Sequence, residues 1–246
     1  MKLYEYFDQV TVISLPFRTD RRKELEVELK LIEWDRDKVL IFDAIRPEQA
    51  ANFASIGELG CFLSHLKVIT DAYTGGVNNL LIMEDDVSFN SCFFSVERNL
   101  IQEMSLLKAD VIFFGHNLDC EKQNKNVLFE LSEEKRVRRI GTHCYALSRK
   151  AMLPLIKYLH EVQSKEPGHP EGGSMGIDGC LNMFLERHPQ YKAYLSNPSI
   201  AYQRSSRQDI HTWHFFDKNP LTRPIISFLR RIKNSIQRRF KWRFHA

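Results

Sequence analysis

Apolar runs and helix-period segments alternate along the first half of the chain. Residues 10–15, VTVISL, form a continuous apolar run that is typical of a buried strand. The segment that follows places Leu25, Leu29 and Ile32 at helical spacing, with Asp20 as a candidate N-cap. A strand followed by a helix is the repeating unit of α/β folds, so this pattern predicts that class.

The same alternation continues downstream. Further strands are predicted at 39–45, 80–85, 109–115 and 143–148, and one more just before residue 203. Helices are predicted at 57–73, 92–107, 149–162 (started or interrupted by Pro154) and 177–187, and the polar stretch 116–138 is interpreted as a loop or hairpin. We therefore expect a doubly wound, mostly parallel sheet flanked by helices, with ligands bound outside the carboxyl ends of its strands.

Composition limits the compartment and the architecture. The 246 residues, 43% of them hydrophobic, suffice for one large domain with or without an appendage. The N-terminus has no apolar core of a secretory signal, and no window of about 18 apolar residues predicts a membrane-spanning helix. The five cysteines are odd in number and lack a CxxC pair. They predict reduced thiols in a cytosolic protein, and argue against a zinc site or a disulfide framework.

Charge separates the chain into two parts. Residues 223–246 carry eight Lys and Arg and no acid, whereas the remaining chain has 27 basic and 31 acidic residues. Within this tail Ile225, Leu229, Ile232 and Phe240 fall on one helical face, opposite basic side chains. We predict a domain at 1–222 and a basic amphipathic helix that either lies on an anionic membrane surface or docks on its own domain. Aromatic residues are not interleaved through a basic platform, so no nucleic-acid partner is expected.

The stretch LLIMEDDV, residues 80–87, runs from an apolar strand into three carboxylates. Residues two apart on an extended chain point the same way, so Glu84 and Asp86 can form a pincer for Mg²⁺ or Mn²⁺. Asp85 would then face a sugar or a backbone amide. The alternative is a solvated loop whose acids cap the next segment.

An arginine-rich turn follows the first strand. Arg18, Arg21 and Arg22 lie beside a predicted helix N-terminus, where a nucleotide phosphate would meet free N–H groups and guanidinium forks. An exposed basic turn that pairs with Glu24 or Glu26 explains the same residues.

Other candidates are ambiguous on local grounds. Ser64, His65 and Lys67 share one predicted helix, where a lone histidine is most often a core residue. Asp178 follows a glycine-rich loop at a helix start; it is either a general base for a hydroxyl or an acid favoured by the helix dipole. His211 could complete a metal shell or lie in a polar surface loop.

Taken in order, several stretches resemble glycosyltransferase family 25, the bacterial lipopolysaccharide and lipooligosaccharide transferases with collagen galactosyltransferase relatives. The matching pieces span residues 10 to about 152: VTVISLPFRTDRR, FDAI, IGELGCFLSHLKVITDA, LLIMEDDV and, less strictly, GTHCYALSRKAM. The segment 167–210, with its GGSMGIDG loop, is a softer match to some bacterial members.

The resemblance implies a GT-A type nucleotide-sugar-binding domain and an inverting, metal-assisted transfer. It implies donor binding by Leu15, Arg18, Arg22, Ala44, Ser64, His65 and Lys67, and metal binding by Glu84 and Asp86. From the residues themselves we add Arg46 and Asp85 to the donor-binding set, His211 to the metal ligands, and Asp178 as the catalytic base. Many members have an acidic residue and a glycine after FDAI, whereas this chain has Arg46 and Pro47, which leaves the ribose or base contact there open.

The leading hypothesis is thus a cytoplasmic hexosyltransferase, peripheral on the inner face of the cytoplasmic membrane. It would use Mn²⁺ or Mg²⁺ to move a hexose from a UDP-sugar to a cell-surface glycan or glycolipid acceptor. Two alternatives stay open: a metal-dependent phosphohydrolase, and a non-catalytic membrane-associated nucleotide-sugar-binding protein.

Overall fold

The computed structural model describes residues 1–116, 126–131 and 141–204. Within these ranges the helices are α1 (Thr19–Leu31), α2 (Ile56–Thr74), α3 (Phe93–Leu107), α4 (Arg149–Ser164) and α5 (Ile177–Arg187), with 3-10 turns at Leu3–Tyr6 and Arg36–Lys38. The strands are β1 (Gln9–Ser14), β2 (Val39–Asp43), β3 (Asn79–Glu84), β4 (Val87–Phe89), β5 (Val111–Phe113), β6 (Leu128–Glu130), β7 (Cys144–Ser148), β8 (Ala193–Ser196) and β9 (Ala201–Gln203).

Seven of these strands form one sheet in the order β2-β1-β3-β7-β5-β8-β6, and β4 pairs with β9 in a separate two-stranded sheet. Strands β1, β2 and β3 are parallel, as are β5 and β8, while β7 is antiparallel to both β3 and β5. Five of the seven strands therefore run in one direction, and β6 and β7 run in the other. The predicted α/β class and mostly parallel sheet are confirmed.

The alternation of side chains along the strands gives the sheet two apolar faces. On β1, Val10 and Val12 pack with α1 and α3 on one face, while Ile13 packs with α2, α4 and α5 on the other. On β3, Leu81 and Met83 share the first face, and neighbouring residues share the second. A sheet buried on both faces by crossover helices explains the near-continuous apolar runs of its strands. The doubly wound arrangement is confirmed.

Helix starts and ends differ in detail from the sequence pattern. Helix α1 begins after Arg18 rather than being capped by Asp20. Helix α2 is capped by Ser55, whose Oγ accepts a hydrogen bond from the backbone N–H of Glu58 at 3.0 Å. Pro154 lies inside α4 and neither starts nor interrupts it.

Three short strands were not predicted. Strands β4 and β8 have only three and four residues, too few to show a period, and β6 lies within the polar stretch 116–138. The described residues between β5 and β7 contain only β6, so no described crossover helix carries the chain back to make β7 parallel. Because β7 is antiparallel, its amino end lies at the same edge as the carboxyl end of β3, where Met83 pairs with Cys144.

Several sequence-based predictions lie outside the described residues. They are His211, the domain boundary at 222 and the amphipathic tail 223–246. In the part of the chain that is described, no helix is both long enough and apolar enough to cross a membrane.

Candidate active site

A cleft of about 600 Å³ opens at the edge where β1 and β3 end and β7 begins. Its walls come from the first half of α2, the start of α5, residues 44–46 and Gln203, so seven separate segments of the chain meet there. It contains nine of the residues singled out from the sequence: Leu15, Arg21, Ala44, Arg46, His65, Glu84, Asp85, Asp86 and Asp178. The position agrees with the rule that ligands of α/β sheets bind outside the carboxyl ends of strands.

The turn between β3 and β4 carries the three acids, and Asp85 is its most heavily bonded member. One oxygen of Asp85 accepts from Ser14 Oγ at 2.8 Å and the other from Arg21 Nη1 at 2.8 Å. Its side chain is buried. Asp85 therefore fixes the turn against β1 and α1, and the predicted contact of its carboxylate with a donor sugar would have to compete with these bonds.

Arg204 holds the same turn from the far end of the described chain. Its guanidinium donates to the backbone carbonyls of Asp85, at 2.8 Å, and of Val87, and also to Ser88 Oγ at 3.0 Å. Its backbone N–H donates to the carbonyl of Asp86 at 2.8 Å. A buried arginine thus replaces the hydrogen bonds that the turn's carbonyls would otherwise make with water.

Asp86 is buried close to other charges. Burial, followed by the negative charge of Glu84, raises the pKa of Asp86 to about 6, although the guanidinium of Arg21 works against the rise. Nη2 of Arg21 lies 3.5 Å from Oδ2 of Asp86, and Gln203 Nε2 lies 3.3 Å from the same oxygen. Two carboxylates that repel each other in a cleft would be stabilised by a divalent cation bound between them. Their oxygens are the hard ligands that Mg²⁺ and Mn²⁺ prefer.

Glu84 is balanced differently. Burial alone would raise the pKa of Glu84, but His65, His143 and Arg21 together hold it below its usual value. Nε2 of His65 lies 3.7 Å from Oε1 of Glu84, and Thr142 Oγ1 lies 3.3 Å from the same oxygen. Glu84 therefore stays ionised in the cleft, as a ligand for a cation must.

Asp178 lies in the first turn of α5, opposite the start of β7. Its Oδ1 accepts the backbone N–H of Thr142 at 2.9 Å and also a short hydrogen bond from the Thr142 hydroxyl. Burial raises the pKa of Asp178 above its usual value, and the bonds from Thr142 limit that rise. A carboxylate with a raised pKa in a cleft has the properties of a general base.

Cys61 adds a thiol to the cleft. Its Sγ, a ring nitrogen of His65 and a carboxylate oxygen of Glu84 all lie within 4.8 Å of one another. Burial, with the nearby carboxylates, raises the pKa of the Cys61 thiol well above its usual value.

Four of the residues predicted to bind the donor do not line the cleft. Arg18 forms a two-point ion pair with Asp20, at 2.9 Å for each contact, and Arg22 donates to the carbonyl of Ser14 at 3.1 Å. Ser64 donates to the carbonyl of Gly60 and Lys67 pairs with Asp71, both within α2. Arg21, the middle arginine of the turn, lies in the cleft instead.

Arg46, which marked a departure from the family pattern, lies on the cleft wall beside Phe17. Its guanidinium carbon lies 5.3 Å from the centre of the Phe17 ring. The Phe17 side chain is 54% exposed and lines the cleft. The pair presents a flat, cationic surface where the family pattern has an acid and a glycine.

Sequence reasoning missed the roles of Cys61, Thr142, His143 and Arg204 in this site. Thr142 and His143 carry no local signal, because the antiparallel register of β7 alone brings them beside Glu84. Arg204 is separated from its partners by more than a hundred residues. Only the three-dimensional fold brings these groups together.

Comparison with known proteins adds the family to this geometry. The family model described as "Glycosyltransferase family 25 (LPS biosynthesis protein)" matches residues 7–170. The chain is 30% identical over 229 residues to "Procollagen galactosyltransferase 1" of Danio rerio, covering 80% of this chain and 36% of that protein. It is 30% identical over 212 residues to "Inactive glycosyltransferase 25 family member 3" of Homo sapiens, covering 76% of this chain and 34% of that protein.

The chain spans about a third of the length of the curated relatives that it matches. Among solved structures it is similar to a glycosyltransferase involved in the glycosylation of the major capsid of PBCV-1, with a TM-score of 0.47 and 11% identity. That match covers 81% of this chain and 94% of the other.

Proposed function

The chain belongs to glycosyltransferase family 25, and on that premise we propose that it transfers a hexose from a UDP-sugar to a hydroxyl of a cell-surface glycan. A lipopolysaccharide or lipooligosaccharide core is the proposed acceptor, and the transfer inverts the anomeric configuration with the help of Mn²⁺ or Mg²⁺. The observation that supports this proposal is the convergence of Glu84, Asp86 and Asp178 on one cleft.

Glu84 and Asp86 would hold the divalent cation. When bound, the cation supplies positive charge that neutralises the departing nucleoside diphosphate. The pKa of about 6 for Asp86 fits this role, because a cation between the two carboxylates would relieve the repulsion that raises it. Arg21, whose guanidinium lies 3.5 Å from Asp86, opposes the rise in the pKa of that carboxylate.

Asp178 would take the proton of the acceptor hydroxyl as that oxygen attacks the anomeric carbon. The carbon–oxygen bond to the nucleoside diphosphate breaks on the opposite face, so one displacement inverts the configuration. Thr142 orients the carboxylate through two donors, its backbone N–H and its hydroxyl. Glu84 and Asp86 would thus bind the cation, and Asp178 alone would act as the base.

Phe17 and Arg46 are proposed to contact the donor's base or ribose, together with Leu15 and Ala44 on the same wall. An aromatic ring and a guanidinium both stack on a flat base, so this surface substitutes chemically for the acid and glycine of other members. The two arginines outside the cleft, Arg18 and Arg22, would support the turn that carries Phe17.

Replacing Asp178 by Asn tests the proposed base. The amide cannot accept the proton, so transfer should fall by two orders of magnitude or more, on the order of 10²–10⁴-fold for general-base catalysis. Nucleotide binding with Mn²⁺ should remain. Donors would first be identified by screening nucleotide sugars for Mn²⁺-dependent thermal stabilisation, and the hits then assayed for transfer.

Asp71→Asn is the matched control, because Asp71 lies on the exposed side of α2 and pairs with Lys67. Its transfer rate should equal that of the unchanged chain. Unchanged transfer by Asp178→Asn would remove Asp178 from the role of base.

A non-catalytic nucleotide-sugar-binding protein is the second candidate. A relative at 30% identity carries the word "inactive" in its name, so similarity at this level does not distinguish the two functions. Nucleotide-sugar binding with Mn²⁺, but no transfer or hydrolysis with any donor that binds, would favour this candidate.

A further inference from the structure

Cys61 and His65 lie one helical turn apart on α2 and both line the cleft. Residues four apart on a helix share a face, so the thiol and the imidazole point toward the same place. Glu84, the last residue of β3, faces them from the sheet. One ligand atom from each of the three lies within 4.8 Å of the other two.

His65 supplies the imidazole of this group. Its side chain is fully buried, and Nδ1 lies 2.8 Å from the hydroxyl of Tyr145. Nε2 has no hydrogen-bond partner among the described residues and lies 3.7 Å from Oε1 of Glu84. A buried nitrogen without a partner is costly, and here it faces a carboxylate and a thiol.

The spacing of these atoms suits a tetrahedral ion. Nitrogen and oxygen ligands about 2.1 Å from zinc, at a tetrahedral angle, lie about 3.4 Å from each other. The observed distance of 3.7 Å between His65 and Glu84 differs from this by a few tenths of an ångström. Small rotations of side chains are enough to close that gap.

We propose that Cys61, His65 and Glu84 form a Zn²⁺ site with its fourth position open to the cleft. The Cys61 thiol would release its proton to solvent as the metal binds, and the resulting thiolate, with the imidazole, favours zinc over Mg²⁺ or Mn²⁺, which prefer oxygen ligands. Three protein ligands and an open position are the usual arrangement of a zinc ion that meets a small molecule. Tyr145 supports the site by fixing the ring of His65 through Nδ1, which leaves Nε2 for the metal.

This site is distinct in chemistry from the Mn²⁺ or Mg²⁺ site proposed on Glu84 and Asp86, but the two share Glu84. Zinc bound by Cys61 and His65 would take up the carboxylate of Glu84. Zinc would therefore weaken the binding of Mn²⁺ or Mg²⁺. The absence of CxxC pairs predicted no zinc site, because that rule detects ligands by spacing within a segment. Here the ligands combine one helical turn with the end of a distant strand.

Titration of the metal-free chain with Co²⁺, a spectroscopic substitute for zinc, tests the site without reference to activity. A thiolate-to-cobalt charge-transfer band should appear and be abolished by Zn²⁺. Cys61→Ser should lose the band and bind zinc more than tenfold more weakly. His65→Gln should also bind zinc more than tenfold more weakly. Cys92→Ser, at a buried thiol on the other face of the sheet, should match the unchanged chain.

Alkylation supplies a measurement that requires no variant to fold. Zn²⁺ should slow the reaction of Cys61 with iodoacetamide, located by mass spectrometry, whereas Mg²⁺ should not. A cobalt band that persists in Cys61→Ser, or equal alkylation of Cys61 with and without Zn²⁺, would overturn the proposal. Asp86→Asn separates the two metals: it should weaken Mn²⁺ binding and leave the cobalt band intact, whatever the outcome of the transfer assay.

Discussion

Thr142 opposes the effect of burial on the pKa of Asp178, and so connects one hydroxyl to the pH dependence of the proposed base. Two donors from one residue converge on the same oxygen of Asp178. Both stabilise the ionised form and oppose the effect of burial, which raises the pKa of Asp178. A substitution of Thr142 can remove the hydroxyl and keep the backbone N–H. The contributions of the two donors to the pKa of Asp178 can therefore be measured separately.

Thr142→Val should therefore raise the pKa of Asp178 further. A base acts only when ionised, so transfer is lost as the pH falls through its pKa, and the acid limb of the rate–pH profile should move to higher pH. Thr142→Ser retains the hydroxyl and should leave the limb in place. The measurement is kcat/KM as a function of pH. A limb that does not move, or that moves to lower pH in Thr142→Val, would contradict the assignment of Asp178 as base.

The candidate residues of α2 show what could be predicted from single positions. His65 and Asp178 were identified as candidates from residue type and neighbouring segments, and both line the cleft. Ser64 has the same local pattern as His65, but one residue along a helix turns the side chain by about 100°, onto another face. Local pattern identifies the segment, and only packing determines which of its side chains faces the site.

At the scale of elements, α2 is fixed against the segment after β2 by a close approach of backbones. Ser64 donates its hydroxyl to the carbonyl of Gly60 at 2.6 Å and accepts the backbone N–H of Ile45 at 2.8 Å. A Cβ on Gly60 would lie 2.5 Å from the carbonyl oxygen of Ile45, so the helix could not pack this closely with a larger residue. This contact positions one wall of the cleft.

Ser64→Ala should lower the free energy of unfolding by about 1–3 kcal/mol, because it leaves the half-buried N–H of Ile45 and the position of the buried Ser64 hydroxyl without their hydrogen bonds. Thr74→Ala on the exposed end of the same helix should change it by less than about 0.5 kcal/mol. Denaturant unfolding measures both. A Ser64→Ala chain of normal stability with a raised KM for the donor would instead support the donor contact predicted from the sequence.

The turn between β3 and β4 depends on Arg204, which also lies 3.4 Å from Glu24 and 3.9 Å from the buried Glu28. Arg204→Met would remove the donors to the turn and the cation beside Glu28. The cost should be about 3–5 kcal/mol of stability, as for one partner of a buried ion pair. Arg187→Met, at an exposed arginine, is the control, and thermal unfolding distinguishes them. Equal melting temperatures would show that the turn does not need Arg204.

Most of the order of elements was predictable, because helices α1–α5 show a helical period and strands such as β1, β2, β3 and β7 stand out as apolar runs. The direction of β7 was not predictable from the sequence. Strand direction depends on the edge of the sheet at which the preceding connection re-enters it. Strands β4 and β9 pair with each other across more than a hundred residues, and no local pattern encodes that pairing. The parts of the site that rest on such pairings, Thr142 and Arg204, were missed for the same reason.

At the scale of the whole molecule, the body and the tail have opposite charge. The tail 223–246 carries eight basic residues and no acid, and the rest of the chain is net acidic. An enzyme whose acceptor is a glycolipid would work at a surface, and residues 223–246, predicted from the sequence to form a basic amphipathic helix with Trp242 near its end, have the composition that binds one. The location on the inner face of the cytoplasmic membrane stays a prediction from these residues.

Deletion of 223–246 should weaken binding to anionic liposomes and leave transfer to a soluble acceptor unchanged. Each basic residue near an anionic surface contributes about 1 kcal/mol, so eight of them, even partly engaged, should shift binding by orders of magnitude. Flotation with anionic and neutral vesicles provides the measurement. Equal binding by the full and truncated chains would show that the tail has another role, such as packing on its domain.

The contacts of Arg204 can form only late in the synthesis of the chain. Its partner carbonyl at Asp85 lies 119 residues earlier in the chain, so during synthesis the acidic turn exists long before the residue that braces it. At roughly 5–20 residues per second, the delay is about 6 to 24 s. In a nascent or prematurely terminated chain the three acids are therefore present without the hydrogen bonds from Arg204. A chain that ends before β9 has the sequence motif of the family but lacks the contacts that hold the turn between β3 and β4.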